Sequence, residues 1–214
     1  MARPKIMIVP VTPFQQNCSL VWNEDTRIGA VVDPGGDVDV IRKAIGQAQV
    51  KVEKILLTHG HIDHAGGAAE LRDRLGVAIE GPHTEDAFLL AGLAEAGAQY
   101  GYAARDVTPD RWLAEGDRVT VGALGFSVLE CPGHTPGSVV LFNEASRFCF
   151  MGDVLFQGSV GRTDFPYGDH AALIASIRDK LLPLGDDVAF LPGHGPASSI
   201  GEERRGNPFL AELR

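Results

Sequence analysis

The chain has 214 residues, with 19 Lys+Arg against 28 Asp+Glu, a formal net charge of −9. Its 44% hydrophobic and 22% charged residues exclude a disordered tail, and no apolar run approaches the roughly 18–20 residues of a membrane span. The acidity argues against a nucleic-acid partner, because such binding is driven by Lys and Arg neutralising phosphates.

In chain order, Ile6–Val11, Ser19–Trp22 and Gly29–Val32 read as strands, the last closing on the turn Asp33-Pro34-Gly35-Gly36. Val38, Ile41 and Ile45 at helical spacing predict a helix over Asp37–Gln47. Lys54–Leu57 is a short buried strand that runs into Thr58-His59-Gly60-His61-Ile62-Asp63-His64. A helix over Ala65–Leu75 and a strand at Val77–Glu80 follow. The Ala- and Gly-rich stretch Thr84–Ala104 has only moderate periodicity and reads either as a helix with a loose turn or as a flap. Strands at Arg118–Val121, Phe126–Glu130, Val139–Phe142 and Arg147–Met151 precede a helix at Ala171–Leu182, a strand at Val188–Leu191 and a polar tail. Both halves run strands, then helix. That order predicts an α/β chain of two sheets packed face to face with helices outside, a single domain over residues 1–214.

Cys18, Cys131 and Cys149 are an odd number, widely spaced, with no Cys-x-x-Cys pair. They read as small buried hydrophobes with free thiols. Together with a start, Met-Ala-Arg-Pro-Lys, that no signal-peptide h-region follows, they lead to the expectation of a reducing, cytoplasmic setting.

Five of the seven histidines fall where a strand has just ended, the place where loops on a rigid scaffold carry chemistry. His59, His61 and His64 share one loop with Asp63, in the pattern H-x-H-x-D-H. His59 and His61, two apart in extended chain, project to the same side and can chelate one ion, while Asp63 and His64 can reach a second nearby. His134 in Cys131-Pro-Gly-His-Thr-Pro-Gly137 and His194 in Leu191-Pro-Gly-His-Gly-Pro196 are held in stiff Gly/Pro turns that can fix a ligand's direction. Asp153 follows an apolar strand and a glycine, where an ionised carboxylate needs a strong partner or a metal. Imidazole and carboxylate together suit zinc, and also iron or manganese. His83 and His170 read as non-ligands, with Asp169 as the cap of the helix that His170 opens.

This set, Thr58–His64, then His134, Asp153 and His194, resembles the metallo-β-lactamase superfamily over nearly the whole chain. The resemblance implies an αββα four-layer sandwich with His59, His61 and His134 on a first metal, Asp63, His64 and His194 on a second, and Asp153 as the bridge. Pro10–Cys18, Gly158–Pro166 and Asn207-Pro208-Phe209 are similar to the glyoxalase II-like hydrolases, above all the compact bacterial type II glyoxalases. The best-known class of β-lactamases has a cysteine ligand where this chain has Asp153, which argues against antibiotic hydrolysis. The nuclease members carry basic surfaces that this acidic chain lacks.

The resemblance implies two divalent ions, zinc first, sharing a hydroxide at neutral pH that attacks a thioester such as S-D-lactoylglutathione. A thiolate leaving group with a pKa near 8.5 needs little protonation. Asp63 is the candidate to accept the hydroxide's proton. Arg162, Thr163 and Asp164 either support the metal site or form a surface turn with an Arg–Asp pair. Arg105, Arg111, Arg204 and Arg205 are candidates for the two carboxylates of glutathione. A chain of 214 residues leaves no room for the C-terminal helical domain of larger glyoxalase II enzymes, so the substrate site is expected to be more open. A persulfide dioxygenase, with one iron on His59, His134 and Asp153, is the alternative within the superfamily. A metal-bearing binding protein without turnover is the alternative outside it.

Overall fold

The structure, a computed structural model, describes residues 4–213. Five strands form an N-terminal sheet in chain order: β1 (Pro4–Val11), β2 (Gln16–Asn23), β3 (Ile28–Val32), β4 (Lys51–Leu56) and β5 (Ala78–Glu80). The first three are antiparallel and the last three parallel. The parallel steps require crossovers, supplied by α1 (Val38–Ala48), then by α2 (Ile62–Ala65) and α3 (Ala68–Leu75).

The second sheet holds β6 (Arg118–Val121), β7 (Leu124–Glu130), β8 (Val139–Asn143) and β9 (Phe148–Gly152), antiparallel neighbours in chain order. Beyond β9 lie β12 (Ala189–Pro192), parallel to it, and the edge strand β13 (Ser198–Ser199). A separate hairpin is made by β10 (Leu155–Phe156) and β11 (Ser159–Val160).

Alternation within the strands explains the layers. In β3, Ala30 and Val32 face the inter-sheet core while Val31 joins a cluster with Ile41 of α1 and Leu71 of α3. In β8, Val139 and Leu141 face the same inter-sheet core, and Val140 joins Leu173 and Ile177 on the far side. Both faces of each sheet are therefore apolar, which is why these strands read as nearly continuous hydrophobic runs. The result is helix, sheet, sheet, helix: the αββα order. Phe126, fully buried between the sheets, would cost about 3–5 kcal/mol on truncation to Ala.

Several boundaries differ from expectation, each for a tertiary reason. The helix expected over Ala65–Leu75 is two helices, α2 and α3, broken at Gly66-Gly67. There the chain presses on the turn after β3. Gly67 N–H donates to Pro34 O at 2.8 Å, and a Cβ on either glycine would come within 2.7 Å of a carbonyl oxygen of that turn. The undecided stretch Thr84–Ala104 forms a 3₁₀ turn at Thr84–Asp86, then α4 (Ala87–Leu90) and α5 (Leu93–Tyr100). The helix α6 (His170–Ser176) runs on as a π-helical turn at Ile177–Leu181.

The tail is not simply polar. It holds α7 (Ile200–Gly206) and a 3₁₀ helix at Pro208–Leu213, which bury Ile200 and Leu210 in the outer core. Glu203 of α7, also buried, accepts from Gly158 N–H at 2.7 Å, and Asn207 donates to Ser159 O at 2.9 Å, so the tail carries the β10–β11 hairpin. Cys18, Cys131 and Cys149 are free and fully buried; burial pushes the Cys131 thiol up to about 12. No helix among the described residues is long and apolar enough to cross a membrane.

Candidate metal centre

Strand direction gathers the polar residues at one edge of the sandwich. Asp33 follows β3, His59 follows β4, His134 follows β7, Asp153 follows β9 and His194 follows β12. β3 and β4 run parallel, as do β9 and β12, so their C-terminal ends lie together, the position in which α/β sheets place their ligands.

All seven residues singled out in the sequence converge there, in two groups. His59 Nε2, His61 Nδ1 and His134 Nε2 form the first, with His61 Nδ1 3.1 Å from His59 and 2.9 Å from His134. Asp63, His64 and His194 form the second, with His194 Nε2 3.0 Å from Asp63 Oδ2. Asp153 stands between them: Oδ1 is 3.4 Å from His64 Nε2, and Oδ2 is 3.7 Å from His134 Nε2 and 3.6 Å from His194 Nε2. Ligands on a tetrahedral ion with bonds of about 2.0–2.1 Å lie roughly 3.3 Å apart, close to the spacing within the first group.

Hydrogen bonds on the far side of each ring decide which nitrogen faces inward. His59 Nδ1 is 3.2 Å from Thr58 Oγ1, whose hydroxyl donates to Asp33 Oδ2 at 2.6 Å. His64 Nδ1 is 2.9 Å from Asp33 Oδ2, His134 Nδ1 is 2.8 Å from Arg162 O, and His61 Nε2 is 2.9 Å from the Tyr167 hydroxyl. A neutral imidazole has one N–H; with it spent outward on an oxygen, each inward nitrogen presents a lone pair. Lone pairs facing one another in a buried space call for a cation. His64 Nε2 and Asp153 Oδ1, both buried, complete no hydrogen bond at all. Buried polar atoms are seldom left so. The donor set fits divalent metal ions.

The sequence comparison agrees with this geometry: the profile of the Metallo-beta-lactamase superfamily matches residues 11–194. The chain belongs to this superfamily. It is 46% identical over 207 residues to the hydroxyacylglutathione hydrolase GloC of Haemophilus influenzae, covering 96% of this chain and 97% of that protein. Among solved structures, that of BLEG-1 B3 metallo-beta-lactamase superposes with a TM-score of 0.89 at 37% identity, covering 97% of this chain and all of that one. The structure of TTHA1623 in a di-iron-bound form gives 0.86 at 38% identity, over 95% of this chain and all of the other.

Within this superfamily site the two groups differ electrically. Burial drives the His59 basicity well below its ordinary value, and the neighbouring imidazoles add to it. Burial, then His134, brings His61 down to about 3; burial also lowers His134, against the pull of Asp153. In the second group burial acts the same way on His64 but loses to Asp153 and Asp63, which hold its pKa well above the usual imidazole range. For His194 too, burial is outweighed, first by its hydrogen bond to Asp63. Burial opposes ionisation of Asp63 and Asp153, yet the facing imidazoles, His64 first, keep both carboxyls below the usual carboxylate range.

Residues that sequence reasoning missed hold the loops in place. Asp33, read only as part of a turn, accepts Thr58 N–H at 2.7 Å and steers both His59 and His64. Asp86 is fully buried and accepts from Gly60 N–H, Gly137 N–H and Thr135 Oγ1 at 2.7–2.8 Å, tying the loop of His59 and His61 to that of His134. Asn17 donates to Pro192 O and Gly195 O, bracketing His194. Gly193 leaves the room that Asp153 and His64 need: a Cβ there would lie 2.1 Å from Asp153 Oδ1. The position of Asp33, directly after a strand like Asp153, was the available signal.

The other site candidates lie elsewhere or act differently. Arg162 contributes its backbone carbonyl to His134, while its guanidinium makes an exposed two-bond pair with Asp164, so both expectations for that stretch hold in part. Arg105 pairs with Asp73, Arg111 with Glu80 and Asp117, and Arg204 and Arg205 with Asp186; none of the four lines the cleft above the cluster. Their assignment to glutathione carboxylates is thereby corrected. His83 pairs with Glu130 at 3.4 Å, and His170 opens α6 behind the Asp169 cap.

Proposed function

We propose that the chain is a metal-dependent thioester hydrolase acting as one catalytic domain, with hydroxyacylglutathiones such as S-D-lactoylglutathione as reference substrates. The observation that carries the metal reading is the convergence of seven side chains on one buried space in which His64 Nε2 and Asp153 Oδ1 have no hydrogen-bond partner. The thioester rests on the 46% likeness to GloC.

In this reading His59, His61 and His134 hold one ion, Asp63, His64 and His194 a second, and Asp153 reaches both. Zinc is the proposed metal, with iron the alternative that the di-iron form of TTHA1623 supports. Divalent ions bound there would supply Lewis acidity and lower the pKa of water from 15.7 to about 7. Asp63, kept ionised beside the cleft, accepts a proton or hydrogen bond from the attacking water. The thiol product, with a pKa near 8.5, leaves as thiolate without a dedicated acid. Tyr167, whose pKa burial pushes up to about 12, keeps its proton and holds the orientation of His61.

A second reading, β-lactam hydrolysis, is favoured by the likeness to BLEG-1, which weakens the argument from the missing cysteine alone. One screen separates the readings: purified protein, analysed for metal, is assayed with lactoylglutathione, simple thioesters, lactones and a chromogenic cephalosporin. Two ions per chain and thioester turnover are expected. Cephalosporin turnover above thioester turnover would move the assignment to the second reading. One iron per chain with O₂ consumed on glutathione persulfide would replace both with a dioxygenase.

A further inference from the structure

The cleft over the cluster has a volume of about 600 Å³, and its walls say more about the substrate than its floor. Six large apolar side chains are exposed among the described residues, and three of them, Phe14, Phe88 and Tyr100, line this cleft. They are 41%, 50% and 57% exposed, on three separate elements. Apolar surface gathered at the mouth of a reactive site marks what that site receives.

The aromatic surface continues inward. Phe165 and Tyr167 stack with planes 10° apart, and Phe165 lies 4.9 Å from the His61 ring and 5.7 Å from that of His134. Phe88 meets Tyr167 edge-on at 5.2 Å, joining rim to floor, and Phe14 meets Tyr100 at 5.3 Å.

Charge points the same way. Among the described residues, Arg162 is the only Lys or Arg in the cleft lining. Asp164 holds its guanidinium through bonds of 2.7 and 2.9 Å, and the group lies over Phe165 at 4.4 Å. The acidic and imidazole side chains of the lining are Asp63, Asp153, His61, His134 and His194. The two carboxylates of a glutathione arm find here an apolar wall and one cation already neutralised.

We propose that the cleft selects thioesters whose acyl group is apolar or aromatic, carried on an uncharged thiol, and that glutathione's carboxylates contribute nothing to binding. This rests on the thioester-hydrolase reading and departs from its hydroxyacylglutathione reference substrates. An aromatic acyl group stacks against Phe165, Tyr167 and Phe88 while the carbonyl reaches the floor.

The test is a two-by-two set: phenylacetyl and lactoyl thioesters, each on glutathione and on N-acetylcysteamine, with metal-loaded protein. Phenylacetyl should exceed lactoyl in kcat/KM by about tenfold or more on either thiol, as expected for one buried ring. Exchanging the thiol should change kcat/KM less than about threefold, short of half a pKd unit. Phe88→Ala and Tyr100→Ala alter exposed positions that the core does not need. Each should raise KM for the phenylacetyl substrates about tenfold with kcat retained. Calorimetry with the uncleavable thioether S-phenethyl-N-acetylcysteamine should show binding to the wild type and loss of it in Phe88→Ala. Preference for lactoylglutathione over both N-acetylcysteamine thioesters, or equal losses on all four substrates in Phe88→Ala, would overturn the inference. Thioether binding without turnover of any thioester would instead overturn the hydrolase reading and leave the cleft's selectivity standing.

Discussion

The two halves of the proposed metal centre lie side by side but are prepared for a cation in different ways. His59, His61 and His134 are neutral rings in a buried space; burial and mutual repulsion keep protons off them, His61 down to about 3. Asp63, His64 and His194 differ: there the facing carboxylates raise the basicity of two imidazoles against the effect of burial. The first group is a set of lone pairs with little hold on a proton, whereas in the second a proton competes more strongly for the same atoms. Rigidity differs too. Each ring of the first group is fixed by an outward hydrogen bond, but in the second only His64 has such a bond among the contacts found, to Asp33.

Breaking the element common to both halves should have the largest effect. Asp153→Ala removes the carboxylate that faces His64, His134 and His194, and Gly193→Ala drives a methyl between Asp153 and His64. Either change should lower kcat/KM by at least about 10²–10³-fold, the size of losing one electrostatic group. Metal analysis should find both ions depleted. Retention of one full equivalent in Asp153→Ala would show that the two halves are independent.

A smaller loss, direct at His64 and relayed through Thr58 at His59, is expected from Asp33→Asn. The His64 Nδ1–H now donates to a carboxylate oxygen, and an amide oxygen is a weaker partner. Outer hydrogen-bond partners of this type are worth about 10–100-fold in metal affinity. Chelator competition should show this loss more for the ion of the second group, whose His64 contacts Asp33 directly, than for that of the first.

Protons separate the halves without mutation. His64 and His194 have raised pKa values in the metal-free chain, so a proton competes with an entering metal up to a higher pH at each than at an ordinary imidazole. Apparent affinity of the second group should therefore climb about tenfold per pH unit for each proton displaced, levelling off only above those raised values. The first group, with His61 down to about 3, should be flat across the same range. Titration calorimetry in two buffers of different ionisation enthalpy counts the protons. Equal release at both steps would erase the distinction.

What was legible in the sequence follows the same division. The proposed ligands stand out because H-x-H-x-D-H, the two Pro-Gly-His turns and Asp153 are local patterns at strand ends, and burial on both faces makes the strands continuous apolar runs. What escaped is set by contacts between distant segments. Gly66-Gly67 looks helical until the turn at Pro34–Gly36 presses on it. Glu203 looks like a surface charge until the β10–β11 hairpin donates to it. Arg105, Arg111, Arg204 and Arg205 looked available because sequence does not reveal the acidic partners beside them.

Asp86 gives the finest test of the contrast. It is 26 residues from Gly60 and 51 from Gly137, yet its carboxylate holds both, together with the Thr135 hydroxyl. Burial raises its pKa, and those three hydrogen bonds pull the other way. Two of the three partners neighbour proposed ligands of the first group, Gly60 between His59 and His61 and Thr135 after His134, and Gly137 closes the same turn as His134. Asp86→Asn keeps the size but turns one oxygen into a donor that faces other donors, leaving at least one bond unmade. The cost should be about 1–3 kcal/mol of stability, read from chemical denaturation of the metal-free chain. If the carboxylate also sets the first group's spacing, that ion should be lost to a chelator more readily while the second group's pH-dependent step is unmoved. Equal loosening of both ions would reduce Asp86 to a contributor to stability alone.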